Sequence, residues 1–398
     1  MSSAFKILQK NMLPAEVVVL LLISMMMLVL GILLYPVYAG YLPYYEDGLF
    51  GLLIIVAALQ ILVLGKSPFG DVARTRFTVF FGILAAAFGI VVCFLPDIFG
   101  ELPRLLLILF FGLGGAVQLV CLYRSRDEMR QRAASDPLLR RLPALSTCLY
   151  LFSVLLGVLL IFPHLLTGLL MCLTVLAYGI ILFVFALYLR SVYQKYPPKE
   201  PAGCIHLSTG SVLLLLTGIF MVVLGLLLIP IVFGLLPFSP SAQLGLLLVL
   251  LSVQMMLLGE TPLGAFPRTH LVVFIGAILG VLGIICCFIP DVLLLTATVL
   301  IALGNICGGL LGLGRLAAMW KSVPAAEEKT PVSSLYFRLA VLMLIMNVLT
   351  ILFGTSMLLP SLLPGVIIGI VLAANGFLLL ALVYLLEKLN GLAASAAA

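Results

Sequence analysis

Of 398 residues, 64% are hydrophobic and only 9% carry charge, against roughly 25% charged in soluble domains, which excludes a water-soluble globular fold. The net charge of +6 sits in short segments beside apolar runs. There it orients insertion and meets anionic lipid heads, so nucleic acid is excluded as a partner.

Residues 1–16 lack the apolar core and small-residue cleavage site of a leader, so the first span, starting near Val17, is expected to serve as the insertion signal itself. Asp, Glu, Lys and Arg are absent from 17–45, 77–96, 105–123, 142–189, 201–259, 269–290, 292–314 and 339–386. A helix needs about 20 apolar residues to cross the hydrocarbon, so the longest gaps hold two passes each. In chain order the spans are expected near 17–36, 48–65, 77–96, 103–123, 145–163, 167–189, 211–232, 243–259, 270–290, 292–314, 337–358 and 364–386. The result is an all-α membrane protein with six-helix units at 17–190 and 211–388, a linker at 191–210 and a flexible tail at 389–398.

Lys6, Lys10, Lys66, Arg74, Arg76, the run from Arg124 to Arg141, Arg190, Lys195 and Lys199 fall on one side of this arrangement. Arg268, Arg315, Lys321, Lys329, Arg338 and Lys388 fall on the same side, which leaves Arg104 as the one exception among 21 basic residues. By the positive-inside rule both termini are expected in the cytoplasm, with the chain in the cell membrane. The eight cysteines lie mostly in apolar runs without CxxC spacing and read as small core residues.

Two levels of repetition organise the chain. Gln60 through Thr75 aligns without a gap on Gln254 through Thr269, and Cys93-Phe-Leu-Pro-Asp on Cys287-Phe-Ile-Pro-Asp, both at an offset of 194 residues. Within each unit every odd-numbered span carries a Gly and then a Pro: Gly31/Pro36, Gly89/Pro96, Gly157/Pro163, Gly225/Pro230, Gly283/Pro290 and Gly354/Pro360. The intervening residues number four, six and five, then four, six and five again. Gly admits a close neighbouring helix and Pro ends a helix, so the unit is expected to be a helical hairpin used six times. Hairpins of two spans all point the same way, which implies symmetry axes along the membrane normal: a pseudo-twofold between the halves and an approximate threefold within each.

This punctuation resembles that of the HdeD-like family of small membrane proteins, whose six spans are built from a short repeated hairpin; the chain resembles two such units in series. The resemblance implies a link to acid stress and supplies no catalytic residues. The chain is also similar to major facilitator transporters in length, span number and a glycine-rich basic loop after spans two and eight. Its loops depart from that pattern, because Asp71 is matched by Ala265 and the longest basic loop lies between spans four and five.

Among candidate functional residues, the repeated loop with Ser67, Arg74, Thr261 and Arg268 reads either as a lipid-phosphate contact or as a tight turn anchoring two helices. Asp97 and Asp291 follow a Pro at an outer turn and read as a cation or proton site, or as a solvated turn. His164 and His270 read as interfacial histidines with a possible pH role. Gln60, Gln254, Gln118 and Asn305, with Asn347 and Asn375, are the strongest polar groups inside spans; they either bond neighbouring helices, at about 0.6–2 kcal/mol each, or line a narrow polar path. The Arg124–Arg141 segment reads as a surface helix on anionic lipid, a contact for a partner protein, or a solvated loop.

No ionisable residue is expected at mid-membrane depth, which argues against ion-coupled transport. No catalytic, cofactor or metal motif stands in the sequence, which argues against an enzyme. Two readings remain open: a non-enzymatic membrane protein, stress-linked or a subunit of a larger assembly or homo-oligomer, and a passive channel or carrier for a small neutral or amphipathic solute along a path between the halves.

Overall fold

The computed structural model describes residues 14–64, 66–67, 69–71, 76–124, 140–162, 167–196, 209–261, 264–265, 270–289, 291–322, 331–359 and 363–397. Twelve helices among these are long and apolar enough to cross a bilayer, with mean hydropathy from 2.0 to 3.2 over 18 residues. In chain order they are α1 (Ala15–Tyr38), α2 (Glu46–Leu59, extended by a π turn at Gln60–Leu64), α3 (Arg76–Phe94), α4 (Leu102–Arg124), α5 (Leu142–Ile161) and α6 (Gly168–Lys195). The second half follows with α7 (Thr209–Val232), α8 (Pro240–Leu258), α9 (His270–Phe288), α10 (Leu294–Ser322), α11 (Pro331–Leu358) and α12 (Gly365–Ala397). This is an all-α integral membrane protein. The described charged side chains gather at two ends, an acidic end with Glu46, Asp47, Asp97, Glu101 and Asp291, and a basic end with Arg124, Arg190, Lys195, Arg315 and Lys388.

Helix ends follow the expected punctuation with one refinement. α1 and α7 run two residues past Pro36 and Pro230 and stop at Gly40 and Gly234, whose φ values of 77° and 70° favour a residue without a Cβ. Tyr41 N–H then reaches back to the Pro36 carbonyl at 2.9 Å, and Leu235 N–H to that of Pro230 at 3.1 Å. α12 continues to Ala397, so residues 389–397 are helical. Ala393, Ala394, Ala396 and Ala397 are strong helix formers and outweigh the single Gly391.

At the glycine marks a neighbouring helix does approach closely, and the structure shows which one. A Cβ at Gly89 on α3 would lie 2.9 Å from the Gly51 carbonyl on α2, and one at Gly31 on α1 would lie 2.8 Å from Leu176 Cα on α6. Gly157 on α5 is pressed against Gly112 on α4. Each odd helix therefore packs tightly on the even helix that precedes it in cyclic order, not on its hairpin partner across the acidic end. The second half repeats the rule: Gly225 meets Ala373 on α12, a Cβ at Gly283 would lie 2.6 Å from the Gly245 carbonyl on α8, and one at Gly354 would lie 2.8 Å from the Ala302 carbonyl on α10. Small residues let backbones approach where lipid supplies no hydrophobic drive between helices.

The halves meet along α2, α3, α8 and α9, with α1 and α7 beside them. Tyr45 N–H donates to the Phe288 carbonyl at 2.9 Å, and Ser239 N–H to the Phe94 carbonyl at 3.0 Å. Residues 45 and 239, like 94 and 288, are 194 apart, so the two bonds are exchanged between equivalent positions. Phe94 packs edge-on against Phe220, with ring centres 5.6 Å apart. Leu52, Phe94, Phe220, Leu246 and Phe288 are fully buried, which makes the middle of the molecule a packed apolar core.

Candidate functional site

Space large enough for a ligand lies inside the first half. An inner cavity of about 240 Å³ is lined by Glu16, Gln60, Gln118, Tyr150, Ser153 and Tyr178 among apolar side chains. An outer cavity of about 290 Å³ is lined mainly by Leu, Met and Val, with Tyr38, Tyr44, Glu46 and Arg104 toward the acidic end. Leu53 and Phe111 line both, so these two side chains form the partition between stacked chambers.

Local backbone geometry shapes this wall. α2 relaxes into a π turn at Gln60–Leu64 and α4 into another at Leu109–Leu113, whereas α8 and α10 are unbroken α-helices. A π turn widens the helix and displaces a carbonyl from its usual partner, and such turns concentrate at functional sites. Phe111 lies within the second turn, and its carbonyl accepts a hydrogen bond from Ser153 Oγ at 2.9 Å. The Phe111 ring stands edge-on to Tyr178, with centres 6.3 Å apart.

At the basic end, Tyr193 donates to the Glu16 carboxylate and ties α6 to α1. Ser211 donates to Glu387 at 2.7 Å and ties α7 to α12. At the acidic end, Arg104 Nε donates to the Leu160 carbonyl at 2.8 Å and Nη1 pairs with Glu101 at 3.2 Å. A guanidinium at the start of α4 is poorly placed for that helix's own dipole but suits the carbonyl-rich C-terminus of α5. Tyr45 lies at the contact between the halves, and its hydroxyl donates to the Cys93 carbonyl at 3.1 Å. Burial, then neighbouring Cys93 and carboxylates, push its phenol well above the usual tyrosine range, so it stays a neutral donor.

The sequence-derived candidates separate on this frame. Gln60 and Gln118 come together on the inner chamber. Gln254 does not join them: its Nε2 donates to Thr217 Oγ1 at 2.8 Å within the second half. Asn305 Nδ2 donates to the Ile301 carbonyl at 2.9 Å and its Cβ abuts Gly354. Asn347 Nδ2 bonds the Met343 carbonyl at 2.8 Å, and Asn375 is buried with its Oδ1 unpartnered.

Asp97 and Asp291 have φ of 60° and 68°. Their backbone N–H groups are held by Asp47 Oδ2 at 2.7 Å and Ser241 Oγ at 3.3 Å, the geometry of a turn. Ser67 and Thr261 pair with Gly70 and Gly264 in two-residue antiparallel ladders, one in each half. Arg74, Arg268, His164 and most of the Arg124–Arg141 segment lie outside the described residues. No cluster of three His, Cys, Asp or Glu suited to a metal ion occurs among the described residues.

Sequence reasoning missed Glu16, Ser153, Tyr178, Leu53 and Phe111. The polar members are scattered over α1, α5 and α6, and only the bundle brings them to one chamber. Arg104 carried a signal, as the lone basic residue on its side. No protein-family model, curated protein or solved structure matches the chain.

Proposed function

We propose that the protein is a non-enzymatic integral membrane protein of HdeD-like type whose first half takes up and passes a small neutral or amphipathic solute. The observation that carries this reading is the pair of stacked chambers with a shared two-residue partition and a π turn in each of two walls. The path runs through one six-helix half rather than between halves, since the contact between them is packed with Leu and Phe. The pseudo-twofold along the membrane normal is part of the proposal, supported by the exchanged Tyr45–Phe288 and Ser239–Phe94 bonds. The cyclic order of glycine contacts supports an approximate threefold in each half. Both termini are placed in the cytoplasm on the strength of the basic end.

Flux of small neutral solutes into reconstituted vesicles tests the reading. Leu53→Trp and Phe111→Trp thicken the partition and are expected to cut flux at least tenfold, while Val120→Trp on the lipid-exposed face leaves it intact. Equal flux in all three, or none above empty vesicles, contradicts it. A second reading, a stress-linked or assembly-bound component held by packing alone, is favoured by the filled contact between the halves; it predicts no flux at all.

A further inference from the structure

The outer chamber combines features that a passage for any neutral solute does not require. It is walled by long aliphatic side chains including Leu30, Leu34, Leu49 and Leu159, yet opposite charges, Glu46 and Arg104, stand at the same end. Arg104 is held in place by its bonds to the Leu160 carbonyl and Glu101, which engage two of its five N–H groups. Glu46, at the start of α2, is exposed and lies within the field of Arg104, but no direct ion pair joins the two. A fixed guanidinium and a carboxylate that it attracts without contacting therefore line the same end of an apolar cavity, with Tyr38 and Tyr44 beside them.

We propose that this chamber binds a single-chain amphiphile with a zwitterionic head. The ammonium group faces Glu46, the anionic group faces Arg104, and the chain runs down toward Leu53 and Phe111. The Tyr38 and Tyr44 rings suit an alkylated ammonium, which aromatic faces attract. The row of Leu side chains along the chamber, about 290 Å³ in volume, suits a single alkyl chain. A cation alone would leave Arg104 facing it, and an anion alone would face Glu46; one head bearing both charges satisfies both sides.

The inference rests on the proposed uptake by the first half, and names the ligand class of its outer chamber. Its test is calorimetric titration of the full chain in nanodiscs, with empty nanodiscs subtracted. The probes are N-decyl-N,N-dimethylglycine, decyltrimethylammonium, decanoate and tail-less N,N,N-trimethylglycine. The zwitterionic decyl probe is expected to bind at least tenfold more tightly than either singly charged one, and the tail-less probe not to bind. Glu46→Gln and Arg104→Gln are each expected to weaken the zwitterion tenfold or more. Leu159→Trp, which fills the chain-binding region, is expected to do the same with both charges intact. Variants are compared only where elution and melting match the parent, and Arg104→Lys serves if Arg104→Gln does not fold.

Equal binding of all three decyl probes, binding by the tail-less probe, or insensitivity to the substitutions overturns the proposal. A bilayer phospholipid as the true occupant would show as a two-chain lipid co-purifying and displaced by none of the probes, which also overturns it. Flux without probe binding defeats this site and spares the passage, whereas probe binding without flux defeats the passage and spares the site.

Discussion

At the residue scale, Asp97 and Asp291 show how a pair of acidic residues serves a turn. The left-handed backbone at both positions costs a residue with a Cβ roughly 1–2 kcal/mol, and Asp and Asn adopt it more readily than most. Asp97→Gly and Asp97→Asn are expected to leave the thermal midpoint in detergent nearly unchanged, while Asp97→Val lowers stability by about 1–2 kcal/mol. A cation site would instead lose cation-dependent stabilisation in Asp97→Asn. Tyr45 gives a second prediction. Burial raises its phenol, so its stabilising contribution is complete below the ordinary tyrosine pKa of about 10 and fades as pH climbs above it. Tyr45→Phe is expected to cost about 1 kcal/mol near neutrality through the lost bond to the Cys93 carbonyl. It should also flatten the alkaline loss of stability measured by unfolding at several pH values.

At the element scale, Gly89 and Gly157 set the separation of helices. Gly89→Leu would drive a side chain into the Gly51 carbonyl, and overpacking of this kind costs about 1–3 kcal/mol; a lowered midpoint with α-helical content retained is the expected result. The positions of these glycines were legible in the sequence, because a spacing that recurs across a duplication marks a small face. Their partners were not, since spacing identifies the face and only the bundle decides which helix meets it. Span positions were legible for a similarly direct reason: a charge within the hydrocarbon is costly, so uncharged runs outline the helices to within a few residues. The π turns left no such trace. Leu109–Leu113 is an ordinary apolar stretch, and its widening is settled by neighbours such as Ser153, far away in sequence.

At the scale of the whole molecule, duplication made Gln60 and Gln254 equivalent, and that much was readable. Equivalence places two residues on matching faces, but they meet only if those faces form the contact between halves. Here Tyr45 and Gly48 face the opposite half, through the bond to the Phe288 carbonyl and the packing of Gly48 on the Cys287 carbonyl. Gln60 looks into its own half instead. The halves have diverged in chemistry as well: Glu46 is matched by Pro240 and Arg104 by Thr298 at the same offset, so the charged opening belongs to the first unit. The two halves share a packing scheme at their glycine contacts, while Glu46 and Arg104 have no charged counterparts in the second.

The central claim, that chambers in the first half open toward the two ends of the bundle and are parted by Leu53 and Phe111, is tested most directly by cysteine labelling in sealed vesicles. Single cysteines at Gln118 and Ser153, and at Leu49 and Leu156, are introduced into a background without native cysteines and exposed to a small membrane-impermeant thiol reagent from either side. The account predicts that the first pair reacts from the basic end and the second from the acidic end. Both pairs reacting from the same side, or none reacting faster than a cysteine at the packed Leu246, would contradict it.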